Sequence, residues 1–358
     1  MIYNCHIHTF READIARKYL PLGLVRFLAT NTGFQTIGFL LNMLNPLTSN
    51  DQFRKYVRFV KIGRYKEQKE IFEDCQKFYP VNSKFMILAM DMAYMNAGKV
   101  PRPYMEQLSE LAELKRAYPD VILPFVHLDP RRTDMMDMLR KCIEEWGYSG
   151  IKIYPSIGYF PYDPRLTPAY EYAEHNNLPV ISHCSPFNPT HNKGWPWEIK
   201  ALLAGSKIPL DLDTRNRKRL CSNFANPLNY KFVLEKHKKL RLCLAHFGSE
   251  HYWHQFLDHP EDKDSWLLVI KDMMEEHKNL YADISFTLNN RDFFPLLKVL
   301  LSDPKINEQI LFGSDYYMVE TKTTERCFGI DLRGYLGEKK FRTISFDNPR
   351  RFLGEITS

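Results

Sequence analysis

Eight short apolar runs, most of them separated by stretches of helical spacing, constrain this chain more than any other feature. They are Ile2 to His8, Lys84 to Asp91, Val121 to Leu128, Gly150 to Tyr154, Pro179 to His183, Arg241 to His246, Leu280 to Ile284 and Gln309 to Gly313. Several are continuously apolar rather than alternating, as strands of a parallel sheet must be when helices cover it. Helix-like spacing fills Pro103 to Ala117, Thr133 to Trp146, Pro168 to Asn176, Pro227 to His237, Ser265 to His277 and Phe293 to Leu301. Pro168 and Pro227 suit first helical turns, with Thr167 and Asn226 as their N-caps. The alternation predicts a (β/α)8 barrel of the TIM type, one domain spanning residues 1–358. Two connections exceed what a minimal barrel needs, about 9–83 after the first strand and about 184–240 after the fifth. Such insertions emerge on the catalytic face and are expected to wall or cover a pocket. A last helix is expected to start near Asn348-Pro349.

Composition narrows the class. Of 358 residues, 44% are hydrophobic and 26% charged, which fits a globular enzyme. The net charge of +6 is modest, and the cluster Arg215-Asn216-Arg217-Lys218-Arg219 reads as a solvated face, because no nucleic-acid motif accompanies it. Seven scattered cysteines form no C-x-x-C pair, so neither a disulfide framework nor a thiolate knuckle is expected, and the cytoplasm is the expected compartment. The first strand begins at Ile2, which leaves no room for a cleaved signal. The apolar stretch Tyr19 to Leu47 is broken by Arg26, Asn31, Gln35 and Asn42, so it reads as one or two amphipathic helices rather than a stable membrane insertion.

The ends of these runs carry the chemistry. His6 and His8 end the first, Lys152 lies near the end of the fourth, His183 ends the fifth, His246 ends the sixth and Asp315 follows the eighth. Side chains two apart on a strand share a face, so His6 and His8 present two imidazoles to one place, as Lys152 and Tyr154 share another. In a barrel all these ends meet at one mouth. Imidazoles and carboxylates suit a borderline divalent ion such as zinc, with water completing an open site. Such an ion lowers the pKa of its water from 15.7 to about 7.

The motifs resemble a known family. Cys5-His6-Ile7-His8, Gly150-Ile151-Lys152-Ile153-Tyr154-Pro155, Ser182-His183, Ala245-His246-Phe247-Gly248, Phe312-Gly313-Ser314-Asp315 and Asn348-Pro349-Arg350-Arg351-Phe352-Leu353-Gly354 are similar to the amidohydrolase superfamily. Asn226-Pro227 before the sixth strand fits as well. The branch they resemble most includes aminocarboxymuconate-semialdehyde decarboxylase and several lactone and amide hydrolases. The resemblance spans residues 2 to about 355. It implies an ion, expected to be zinc, held by His6, His8, His183 and Asp315. His246 would polarise the substrate or join a second ion, and Asp315 would orient the attacking water and accept its proton. Lys152 decides between one ion and two, because in two-metal relatives a lysine at this place is carboxylated and bridges them.

Other residues carry weaker signals. Arg131 and Arg132 follow the third strand and suit a substrate carboxylate, with a salt bridge as the plain alternative. Asp91 suits a pocket wall. Tyr154, Tyr159, Phe160, Tyr162, Trp195 and Trp197 crowd the expected lids and suit a ring-shaped substrate or ordinary loop packing. His127 reads as pocket-facing or as a buried, hydrogen-bonded residue, and His251 and His254 as surface residues. Cys5 and Cys184 are expected to point away from the neighbouring histidines and to pack. The expected activity is hydrolysis of an amide, lactone or related carbonyl in a small molecule. Two alternatives stand beside it: non-oxidative decarboxylation of an aromatic or dienoic acid, and a non-catalytic metal-binding accessory role. No nucleic-acid partner is expected, and self-association into a homo-oligomer is left open.

Overall fold

The computed structural model describes residues 1–19, 65–316 and 318–356. Eight parallel strands pair in sequence order: β1 (Tyr3–Ile7), β2 (Lys84–Leu88), β3 (Ile122–Leu128), β4 (Gly150–Ile153), β5 (Val180–His183), β6 (Leu242–Ala245), β7 (Leu280–Asp283) and β8 (Ile310–Leu311). β8 shares only two residue pairs with β7. Three contacts then return the sheet to β1. The Cys5 amide donates to the Phe312 carbonyl at 2.9 Å, the Asp315 amide donates to the His6 carbonyl at 2.8 Å, and Ile7 bridges Tyr316. This is the (β/α)8 barrel the alternation predicts. The ladders are shorter than the apolar runs because residues beyond them, such as Ile284 and Phe312, stay buried after strand pairing stops.

Helices α1 (Gln68–Gln76), α2 (Tyr104–Ala117), α3 (Met135–Arg140), α4 (Thr167–His175), α5 (Pro196–Leu203), α6 (Arg217–Ser222) and α7 (Lys231–Lys236) follow β1 to β5. After them come α8 (Ser249–Asp258), α9 (Trp266–Glu276), α10 (Phe294–Leu300), α11 (Glu325–Arg342) and α12 (Asn348–Leu353). α3 is shorter than its apolar spacing suggests, because a π-helical turn over Lys141–Glu145 continues it. Asn226 caps as expected, accepting from the Leu228 amide, although the helix it opens begins as a 3-10 turn. Thr167 does not cap α4: it is already the first helical residue. The capping oxygen is supplied one turn earlier by Asp163, which accepts from the Arg165 amide ahead of α4. The insertion after β5 carries α5, α6 and α7, and Ile199, Leu203, Leu220 and Phe224 pack it against Phe160 of the β4 loop. Most of the apolar stretch from Tyr19 to Leu47 lies outside the described residues. Among the described residues, no helix is long and apolar enough to cross a membrane.

Two apolar shells hold the barrel. Outward residues such as Ile87, Val126, Ile151, Val180, Leu244 and Ile310 pack beneath the helices. Inward residues Cys5, Met86, Leu88, Phe125, Ile181, Cys243, Ala245 and Leu311 form a separate cluster inside, closed by Phe352 of α12. β4 contributes no apolar side chain there, and glycine is required at its start. A Cβ on Gly150 would stand 2.3 Å from the Phe125 ring, so the missing side chain is the space that Phe125 fills. Cys5 departs from expectation, since it faces the barrel interior as His6 does. The physical reason is a bulge: Asn4 pairs Phe85 and Ile7 pairs Ile87, so β1 spends one extra residue and the alternation resets. Cys184 stays outside the barrel, its thiol against the Ala225 carbonyl.

Candidate metal centre

The strand ends do meet. His6, His8, Lys152, His183, His246 and Asp315 are all buried at the mouth above the apolar floor. The Nδ1 of His8 lies 2.8 Å from the Leu88 carbonyl, an acceptor only, so Nδ1 carries the proton and Nε2 offers its lone pair. The Nδ1 of His6 lies 2.9 Å from Asp283 Oδ2, which by the same logic leaves His6 Nε2 as the free lone pair. That Nε2 is buried with no partner, and so are Asp315 Oδ1 and Lys152 Nζ. His8 Nε2 stands 3.7 Å from Asp315 Oδ1, and one ligand atom from each of His6, His8 and Asp315 falls within 4.8 Å of the other two. Buried polar atoms are rarely left unpaired, because each costs about 1–3 kcal/mol. Two imidazole lone pairs and a carboxylate oxygen, convergent and two of the three buried without a partner, fit a divalent cation.

The backbone at this mouth is strained in the places that matter. Asp315 has φ 60° and His246 φ 68°, both in the left-handed region that side chains avoid. Each such residue costs roughly 1–3 kcal/mol and persists where its surroundings over-determine it. The turn at His246 is what brings its ring inward although Ala245 before it already faces in.

Asp283, at the end of β7, organises the cluster and is absent from the candidates drawn from sequence. Besides His6 it accepts from the His246 amide at 3.0 Å, from the Ser285 amide at 3.0 Å and from the Ser285 hydroxyl. Burial alone pushes its carboxyl up, but the His6 imidazole and these hydrogen bonds outweigh that and hold it below the usual range. With His6 and His246 it forms a second group whose ligand atoms lie within 4.8 Å. The strand-end rule applied to Leu280-Tyr281-Ala282-Asp283 finds it, as a lone acid closing an apolar run.

His183 sits differently from His6 and His8. Its Nδ1 is 3.1 Å from His246 Nε2, its Nε2 contacts the Asn188 amide, and its ring stacks on Tyr154 at 4.1 Å and 17°. It therefore joins the cluster through His246 rather than through the His6–His8–Asp315 group. His246 Nδ1 lies 3.0 Å from the Ser285 carbonyl, which leaves Nε2 as its lone pair. Burial holds His8 and His183 well below the ordinary imidazole range and His246 at about 3, so all three are neutral. Burial likewise raises Asp315 to about 6, and lowers Lys152 to about 8 against the pull of Asp283 and Asp315.

The remaining candidates are held by other contacts or exposed. Arg131 is committed to Asp129 at 2.6 and 2.8 Å and to the Ile157 carbonyl at 3.3 Å, tying the β3 loop to the β4 loop. Arg132 pairs with Asp91 at 2.9 Å beside a cavity of about 240 Å³ lined by Met90, Tyr104 and Gln107. Trp195, at the start of α5, is 70% exposed. His127 is buried, its Nδ1 accepting from the Asp91 amide at 2.8 Å. His254 is on the surface of α8.

A parallel eight-stranded barrel with imidazoles and carboxylates gathered at the C-terminal strand ends defines the class of metal-dependent barrel enzymes. Residues 5–354 match the family described as Amidohydrolase, and the chain belongs to it. No curated protein matches in sequence. Among solved structures, 4-oxalomesaconate hydratase from Rhodopseudomonas palustris is similar at TM-score 0.53 and 15% identity, covering 99% of this chain and 96% of that one. A probable 2-pyrone-4,6-dicarboxylic acid hydrolase from Acinetobacter baumannii matches at TM-score 0.54 and 11% identity, covering 99% of each chain. A 5-carboxyvanillate decarboxylase from Novosphingobium aromaticivorans, with bound manganese, matches at TM-score 0.53 and 12% identity, covering 89% of this chain and 93% of that one. At these identities the likeness establishes the fold.

Proposed function

We propose that this chain is a metal-dependent hydrolase of an amide, lactone or related carbonyl in a small molecule. The observation that carries the reading is the convergence of the unpartnered His6 Nε2 and Asp315 Oδ1 with His8 Nε2. In this reading His6, His8 and Asp315 hold a divalent ion, zinc by preference. When bound, that ion supplies Lewis acidity to the carbonyl and acidifies an attacking water. Asp315 takes the proton of the attacking water and returns it to the leaving group. His246, with Nδ1 committed to Ser285, acts through Nε2, and His183 and Tyr154 wall the space beside it. Lys152 Nζ, buried and unpartnered, is available either to an acceptor on the substrate or to carboxylation that would bridge a second ion. The unpaired cysteines fit a reducing compartment, and we place the enzyme in the cytoplasm.

The test is elemental analysis of protein purified without added metal, followed by a lactone panel read by proton release and an amide panel read by amine release. At least one divalent ion per chain is expected, with acid from a lactone or amine from an amide of the panel. Carbon dioxide release without acid or amine production replaces hydrolysis with decarboxylation. A metal-free protein unchanged by His6→Ala/His8→Ala removes the metal reading altogether.

A further inference from the structure

The barrel closes at its weakest seam, and two of the proposed ligands stand there. β8 is two residues long, β1 is bulged between Asn4 and Ile7, and Ser314 and Asp315 lie beyond the last ladder pair. Gly313 makes the approach possible, since a Cβ there would stand 2.8 Å from the His6 Cβ. Across this seam runs one fully buried side chain that the proposed chemistry does not use, Asn4.

An amide side chain offers an oxygen with two lone pairs and two N–H donors. Asn4 uses both kinds. Its Oδ1 accepts from the Ser314 amide at 3.0 Å and from the His6 amide at 3.3 Å. Its Nδ2 donates to Ser314 Oγ at 2.8 Å and to Tyr79 Oη at 2.8 Å, with Glu325 Oε1 of α11 at 3.4 Å. Tyr79 in turn donates to Glu325, so the amide is anchored from behind by two elements outside the barrel. The amides it satisfies belong to one ligand, His6, and to the residue before the other, Asp315. The bulge takes His6 out of regular ladder pairing, and Asp315 stands in left-handed backbone that its surroundings must enforce.

Resting on the metal reading above, we infer that Asn4 is a positioning residue of the metal centre: its side chain clasps β1 to the end of β8 and fixes His6 and Asp315 relative to each other. The oxygen half of the clasp is the part that sets the ligands, because it binds the backbone of His6 and of Ser314 directly before Asp315. The nitrogen half fixes the amide's orientation. A side chain that keeps two acceptor positions at the same reach preserves the function, and one that lacks them loosens the site without emptying the core.

The experiment uses the full chain and the metal alone as probe. Equilibrium dialysis measures zinc affinity, and the visible absorption of the cobalt-substituted protein reports ligand geometry. Outer partners of metal ligands are worth on the order of 10-fold to 100-fold in affinity. Asn4→Ala is expected to lose that much and to change the cobalt spectrum, while Asn4→Asp, which retains both acceptor bonds, recovers most of each. Asn4→Ser serves if the alanine variant does not fold, because its hydroxyl is too short to span both amides; the same loss is expected. A folded Asn4→Ala or Asn4→Ser variant with wild-type affinity and spectrum overturns the inference while leaving the metal reading intact. A wild-type chain that binds neither ion overturns both.

Discussion

The two ends of the barrel interior are built from the same strands and behave as different materials. At the floor, Cys5, Met86, Phe125, Ile181, Cys243 and Leu311 make an apolar plug with Phe352 beneath it. Two residues beyond Ile181, Tyr281 and the side-chain-free Gly150, the hydrogen-bonded His183, the carboxylate of Asp283 and the unpartnered Lys152 replace packing with polar groups. The floor is conformationally ordinary, whereas the mouth holds His246 and Asp315 in left-handed backbone. The comparison teaches that stability and chemistry are separated along the strand axis rather than between strands, so a single strand serves both.

That separation can be broken in order of effect. His6→Ala/His8→Ala is expected to abolish metal binding and turnover while leaving the fold intact, read by elemental analysis beside circular dichroism. The next largest effect is acid sensitivity of the chelated protein. His8, His127, His183 and His246 have folded-state values depressed below 6.5, to about 3 for His127 and His246, chiefly by burial. Between those values and 6.5 the unfolded chain binds more protons, so stability is present above pH 6.5 and lost as pH falls. Each such imidazole removes about 1.4 kcal/mol per pH unit in that window. Denaturation midpoints that do not drop from pH 7 to pH 5 refute this.

Floor substitutions should show the reverse pattern. Phe125→Ala is expected to cost about 3–5 kcal/mol by the cavity it leaves, with metal content per folded chain unchanged. A large loss of metal without loss of stability contradicts the separation. Asp283→Asn should weaken metal affinity roughly 10-fold to 100-fold through His6, since carboxylate partners orient ligand imidazoles. Equal affinity in the variant and the wild type removes Asp283 from the site. Trp195→Ala is the smallest, within about 0.5 kcal/mol for an exposed side chain. Its steady-state kinetics test whether Trp195 meets substrate: a raised KM supports that role, and an unchanged KM ends it.

Much of the mouth was legible in the sequence because strand ends in a barrel converge whatever the loops do. His6, His8, His246 and Asp315 follow from that rule. Asp283 obeys the same rule, but an apolar run carried on to Ile284 hides it, because the acid then reads as lying inside the run while strand pairing in fact ends on it. Cys5 could not be placed correctly, since a bulge depends on how β1 pairs β2 and leaves no local signature. The pairing of His183 with His246 and Asn188 reflects tertiary geometry, as does the commitment of Arg131 to Asp129. Thr167 misled as a cap because Asp163 supplies the capping oxygen one turn earlier.

The contact between Gly150 and the Phe125 ring has a consequence for how such chains diverge. The two positions form a lock and a key on neighbouring strands. A side chain gained at 150 is admissible only with a smaller residue at 125, and a smaller residue at 125 opens a void directly below Lys152. Among descendants of this chain, the two sites are therefore expected to change together or not at all, and a lineage that breaks the pair alters the depth of the space beneath the metal site before it alters any ligand.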